Sequence, residues 1–132
     1  MTYMLDTNIV SDLVRNPAGR AAARLAATGE DRVCTSVIVT AELHYGAIRR
    51  GSQRLTKQLG IVLSGMEVLP LPPPADLRYG ELRTSLEKNG QVIGPNDLFI
   101  AAHALALDYT LVTDNEVELS RVPGLRIENW LR

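Results

Sequence analysis

Short apolar runs alternate along the chain with longer stretches of helical periodicity. Tyr3–Asp6 is apolar up to an abrupt Asp-Thr-Asn, which predicts a buried strand running into a helix that continues through Val14. Pro17-Ala18-Gly19 breaks that helix, and the Ala-rich Arg20–Ala27 predicts another. Val33-Cys34-Thr35 is a second β-prone run, followed by Ser36 as the N-cap of a helix carrying Ile38, Val39, Leu43 and Ile48. Leu55–Leu63 reads as a helix, Glu67–Leu71 as a third strand, and Pro72-Pro73-Pro74 as a rigid connector too short to link domains. The spacing of Leu77, Leu82 and Leu86 predicts a helix over Ala75–Lys88. Gly94-Pro95-Asn96 punctuates the chain before a helix over Asp97–Leu107. Tyr109–Thr113 is a fourth strand, Val117–Leu119 a short turn or helix, and Arg126–Glu128 a fifth strand. Buried strands alternating with helices imply a parallel sheet covered on both faces. The expected fold is an α/β, three-layer α/β/α sandwich with a mainly parallel sheet of four to five strands, as one domain over residues 1–132.

Composition narrows the function classes. At 132 residues, 45% apolar and 22% charged, the chain is a globular domain and not a disordered segment. The uncharged stretch Leu98–Leu107 is far below the ~20 residues that span a bilayer. No basic leader precedes an apolar run at Met1-Thr2-Tyr3, and the single Cys34 cannot form an internal disulfide, so a cytoplasmic protein without membrane contact is expected. A net charge of −1 excludes retention on nucleic acid by bulk positive charge alone. The charge is unevenly spread: residues 1–66 carry eight cations against five acids, residues 67–132 six against ten. Twelve of the fourteen cations are Arg, which suits phosphate or carboxylate partners but equally reflects a GC-rich coding sequence.

Ligands of open parallel sheets collect at the carboxyl ends of the strands. Asp6 lies at the end of the first strand, Asp114 follows the fourth, Glu42 sits about two turns into the helix after the second, and Asp97 opens the helix leading to the fourth. Each acid has a local explanation: Asp6 as a cap, Asp97 beside a helix N-terminus, Asp114 in an Asp-Asn turn. Glu42, in mid-helix between Ala41 and Leu43, gains nothing from a cap. Converging carboxylates require a shared proton or a divalent cation. An oxygen-only set suits Mg²⁺ or Mn²⁺ rather than Zn²⁺, so metal-dependent phosphate chemistry is the expectation from the residues.

Met4-Leu5-Asp6-Thr7-Asn8 resembles the opening of PIN-domain proteins, especially the VapC toxins of bacterial toxin–antitoxin pairs. Ser36 through Glu42, Leu43 and Tyr45-Gly46 is similar to their second motif, and Ile93-Gly94-Pro95-Asn96-Asp97 with Ile100-Ala101 to the third. Leu111-Val112-Thr113-Asp114-Asn115, with Arg121-Val122-Pro123-Gly124-Leu125 and Glu128-Asn129-Trp130, resembles the fourth motif and its tail. The resemblance implies a Mg²⁺- or Mn²⁺-dependent endoribonuclease that cuts structured RNA, tRNA loops foremost. It further implies a VapB-like antitoxin, a homodimer and a larger toxin–antitoxin complex. Asp6, Glu42 and Asp97 would be the metal-site acids, with Asp114 the fourth, directly or through water; Asn8, Thr113 and Asn115 would contact substrate or antitoxin, and Thr7 and Thr113 would be hydroxyl helpers at most. Arg49 shares a helix face with Glu42 and Gly46, so it reads either as a contact for RNA or antitoxin or as a solvated cation at a helix end. The apolar positions Val39, Leu55, Leu59, Ile61 and Leu63 are the candidates for a dimer face, with core packing as the alternative. An antitoxin is expected to lay an Arg or Lys near Asp6, Glu42 and Asp97.

Rival classes fit less well. A haloacid-dehalogenase-like phosphatase needs an acid two residues after the first, where Asn8 stands; a receiver domain needs a Lys at the end of a late strand, and neither Lys57 nor Lys88 is there. A metal-free nuclease would use His44 and His103, both of which read as structural or surface residues. An RNA-processing nuclease without a toxin role and a pure protein-interaction module remain the functional alternatives.

Overall fold

The computed structural model describes residues 1–29 and 32–132. Strand β1 (Tyr3–Leu5) leads through α1 (Thr7–Arg15) and α2 (Arg20–Thr28) to β2 (Val33–Ser36). Helices α3 (Val37–Arg50) and α4 (Gln53–Ser64) then connect to β3 (Glu67–Leu69). Helices α5 (Ala75–Lys88) and α6 (Pro95–Leu107) return the chain to β4 (Thr110–Val112), and α7 (Glu116–Leu119) precedes β5 (Ile127–Glu128). The sheet is parallel throughout, in the order β3-β2-β1-β4-β5. Right-handed crossovers place α1 to α4 on one face and α5 to α7 on the other. The packing follows that division: α1 lies against α2, α3 and α4, while α5 lies against α6. The α/β/α expectation holds.

Element ends follow local chemistry. The Ser36 hydroxyl accepts from the Ile38 N–H and caps α3 as expected. Strand β3 stops at Leu69, short of the predicted Leu71, because Pro70 has no N–H to extend the ladder. Helix α6 starts two residues earlier than predicted, with Pro95 in its first turn, which is where a proline costs no hydrogen bond.

The core gathers Met4, Leu5, Ile9, Val10, Leu111 and Val112 around the central strands. Of the proposed dimer positions, Val39 and Leu59 are buried, Leu55 and Leu63 pack against the core, and only Ile61 is exposed. Part of that stripe therefore serves the core, while Ile61 stays on the surface. Among the described residues no helix is long and apolar enough to cross a membrane. The tail is anchored by Trp130, fully buried and 5.4 Å from the Tyr3 ring, with the Arg24 guanidinium 5.5 Å over it. Trp130→Ala should destabilise the fold by about 3–5 kcal/mol in urea unfolding; a loss below about 1 kcal/mol, within the range of surface substitutions, would mean that the tail is not part of the core.

Candidate active site

The strand order reverses between β1 and β4, and a crevice opens there beyond their carboxyl ends. The register aligns Leu5 with both Thr35 and Val112, so Asp6, Ser36 and Thr113 emerge side by side. Asp6 caps α1 and also faces the crevice. One of its oxygens accepts from the Thr7 N–H at 2.7 Å, and the other accepts from the Thr113 hydroxyl at 2.8 Å. The local explanation and the functional one thus apply to the same carboxylate. The Thr7 hydroxyl donates to Glu42 at 2.9 Å, which brings mid-helix Glu42 beside Asp6. Asp97, in the first turn of α6, is approached by the Asn115 side-chain amide at 3.5 Å. The same amide nitrogen lies 3.4 Å from Glu118.

Electrostatics bind these acids into one group. Burial is the largest influence on Asp6 and raises its pKa; the Thr113 and Thr7 hydrogen bonds partly offset it, and the Glu42 charge adds to it. Asp97 is pushed up to about 6, first by burial and then by the charges of Asp6, Glu118 and Glu42. Asp97 sits in the first turn of a helix, where the dipole favours the anion, so desolvation and repulsion outweigh that dipole. Among the described residues no ion pair reaches these acids. The pocket is short of positive charge.

The PIN domain family model matches residues 3–125. The chain belongs to the PIN-domain family. Ribonuclease VapC2 of Rickettsia felis is 41% identical to it over 98% of each chain, and the tRNA(fMet)-specific endonuclease VapC of Salmonella typhimurium is 35% identical over 98% of each. The crystal structure of VapBC2 from Rickettsia felis, bound to a DNA fragment from their promoter, superposes with a TM-score of 0.90 at 40% identity, covering 98% of this chain and 99% of that one. DNA-bound VapBC from Salmonella typhimurium gives 0.87 at 34% identity, covering 98% of both chains. The resemblance seen in the motifs extends to the whole fold.

PIN-domain nucleases generally depend on a divalent metal. The residues here fit one: the donors are all oxygen, two of the acids have raised pKa values, and no Arg or Lys neutralises them. Among the described residues no three acids, histidines or cysteines stand close enough to hold an ion on their own.

The other predicted residues fall differently. Asp114 does not join the group: it is exposed, and its carboxylate accepts from Asn129 at 3.0 Å. Its backbone N–H donates to the Asn8 side chain at 2.9 Å, so Asn8 holds the loop. Thr113 is buried between Asp6 and the Asn115 N–H, which it accepts at 3.0 Å. Arg49 is exposed on α3. The groove that runs from Glu42 along α3 is lined instead by Arg50, because it opens toward α4 on the side of Leu43, Ala47 and Arg50, spaced i, i+4, i+7. The histidines are split: His44 is exposed, while His103 is fully buried with Nδ1 2.8 Å from the Ser36 hydroxyl. Sequence reasoning missed Glu118. Its signal was the Asn115-to-Glu118 spacing of three, which puts both on one face once Glu116–Leu119 is known to be helical.

A raised pKa is also a statement about stability. The folded pKa of Asp97, about 6, exceeds its ordinary 3.8. Its ionisation therefore weakens the fold as pH rises through about 6 and leaves it unaffected well below the ordinary value. With divalent ions chelated, Asp97→Asn should melt above wild type at pH ~7.5, and the difference should vanish near pH ~4. Equal melting at both pH values would remove the repulsion inferred for this pocket.

Proposed function

We propose that this chain is the toxin of a toxin–antitoxin pair, an endoribonuclease acting in the cytoplasm through one PIN domain spanning residues 1–132. The observation that carries the reading is the gathering of Asp6, Glu42 and Asp97 from distant segments, with Glu118 beside them and, among the described residues, no ion pair to any of them. Asp6, Glu42 and Asp97, joined by Glu118, would hold Mg²⁺ or Mn²⁺ together with water that completes its coordination. A divalent ion there supplies positive charge for the scissile phosphate and activates water as the nucleophile. The chain's own residues set the stage. Thr7 and Thr113 fix the carboxylates of Glu42 and Asp6, Asn115 spans Asp97 and Glu118, and the buried floor beneath Asp6 limits the solvent that would screen them.

The substrate class is structured RNA, with tRNA loops favoured by the tRNA(fMet)-specific endonucleases that are 35% and 33% identical to this chain. The partner is a VapB-like antitoxin, supported by the VapBC complexes among the structural relatives. Such an antitoxin would place a cation on the acids, competing with the metal for them. A homodimer within a larger hetero-oligomer completes the assembly.

Asp6→Asn keeps the size of the side chain and removes one charge from the pocket. Cleavage of initiator tRNA by the variant should fall at least about a hundredfold, the scale on which catalysis depends on placed charge, while circular dichroism stays unchanged. Wild-type products should carry 5′-phosphate and 3′-hydroxyl ends, and a 2′-deoxy substitution at the cut should not block the reaction. Undiminished cleavage by Asp6→Asn, or cyclic phosphate ends, would defeat this assignment.

A further inference from the structure

Two asparagine side chains in this protein each lie between two carboxylates. Asn115 faces inward and spans Asp97 and Glu118. Asn129, beyond the last strand, faces the outer side of the same loop: its amide nitrogen donates to Asp114 at 3.0 Å and to Glu116 at 3.1 Å. Asp114 and Glu116 are the two neighbours of Asn115 in the chain. The oxygen of the Asn129 side chain is also engaged, accepting from the Leu131 N–H at 2.9 Å. Every polar atom of this half-buried side chain therefore has a partner.

The tail does not need that amide to stay in place. Trp130 is fully buried, its indole N–H donates to Glu128 at 3.1 Å, and Glu128 in turn meets Arg24 at 3.2 Å. The β4–β5 ladder is held by Leu111 N–H to Arg126 and by Thr113 N–H to Glu128. The loop's own bonds are Asp114 N–H to Asn8, Asn115 N–H to Thr113, and the turn that follows, in which Leu119 N–H donates to the Asn115 carbonyl. Two like-charged side chains flank Asn115; Arg132 pairs with Glu116 at 2.9 Å, and the Asn129 amide is the donor that reaches both carboxylates. Holding both on the outer side fixes the peptide planes on either side of Asn115, and so the direction in which its side chain leaves the backbone.

We propose that Asn129 is a positioning residue of the acidic site. By clamping Asp114 and Glu116 it aims Asn115 at Asp97 and Glu118. This deepens the nuclease reading and rests on it for its kinetic arm. It also gives Asp114 a role that its exposed position permits, as the outer anchor of the loop.

The test compares wild type with Asn129→Ala and Asn129→Asp, using amide hydrogen exchange by NMR and steady-state cleavage of initiator tRNA. In Asn129→Ala the Asp114 and Asn115 amides should exchange about tenfold faster, as in a local opening, while the Leu111 and Thr113 amides keep their protection. The value of kcat should fall roughly ten- to a hundredfold, the scale of a small misplacement at a reacting centre, with KM changed less than about twofold. Asn129→Asp should be worse, because a third carboxylate joins two others. On an Asp114→Ala, Glu116→Ala background, Asn129→Ala should add nothing. Equal loss of protection at Leu111 and Thr113 would make Asn129 a mere strand anchor and overturn the proposal. A raised KM at constant kcat would make it a direct RNA contact, and additive effects would remove the route through Asp114 and Glu116; either also overturns it. Failure of the wild-type chain to cleave would sink the nuclease reading alone, since the exchange pattern is read without RNA and still decides the role of Asn129.

Discussion

A carboxylate buried at the point where the sheet changes direction constrains everything around it. Asp6 is 2% exposed, and an isolated charge so placed would be strongly disfavoured. It persists because the Thr7 N–H and the Thr113 hydroxyl each take one oxygen. The first bond is local, but the second comes from a residue that the β1–β4 pairing brings in, so that pairing and the solvation of Asp6 depend on each other. The offset is incomplete, since burial still raises the pKa of Asp6. The residual deficit of positive charge is what the rest of the pocket amplifies.

Amplification follows from topology. Parallel strands place all their carboxyl ends on one edge, and crossovers on opposite faces leave a gap between β1 and β4. Helix α3 leaves the end of β2 and delivers Glu42; α6 enters from the other face with Asp97 in its first turn; α7 adds Glu118. Each acid stands on a different element, so no local rearrangement relieves the repulsion.

Much of this was legible in the residues. Ala75–Lys88 matches its predicted limits because Leu82 and Leu86, four apart on its buried face, lie between a proline connector and Asn89, although Leu77 proves exposed. Asp6 and Asp97 were legible because each sits next to a clear strand end or helix start, and Glu42 because a mid-helix acid between apolar neighbours has no capping role. The remainder was hidden for a physical reason. A four-residue helix has too few positions to show a period, so Glu118 had no visible face. Asp114 and Asn115 are adjacent, and which of them points inward is fixed by loop torsions and by Asn129, fifteen residues beyond Asp114 in the chain. The apolar stripe from Leu55 to Leu63 shows a different limit: its period marks Leu59 as buried, but periodicity cannot distinguish a core from a subunit interface.

The choice of donors explains how four acids are held without being neutralised. Among the described residues, the donors to Asp6, Glu42, Asp97 and Glu118 are a backbone N–H, two threonine hydroxyls and an asparagine amide, all uncharged. The arginines form their ion pairs elsewhere, with Glu128, Glu87, Asp108 and Glu116. A Lys or Arg among the acids would orient them equally well, yet its charge would lower their pKa values and satisfy the pocket internally. Neutral donors fix direction and leave the charge uncompensated. The fold therefore retains a repulsion that, above the pKa of Asp97, an external cation relieves, and the same repulsion makes the pocket a receptor for any partner able to bring one.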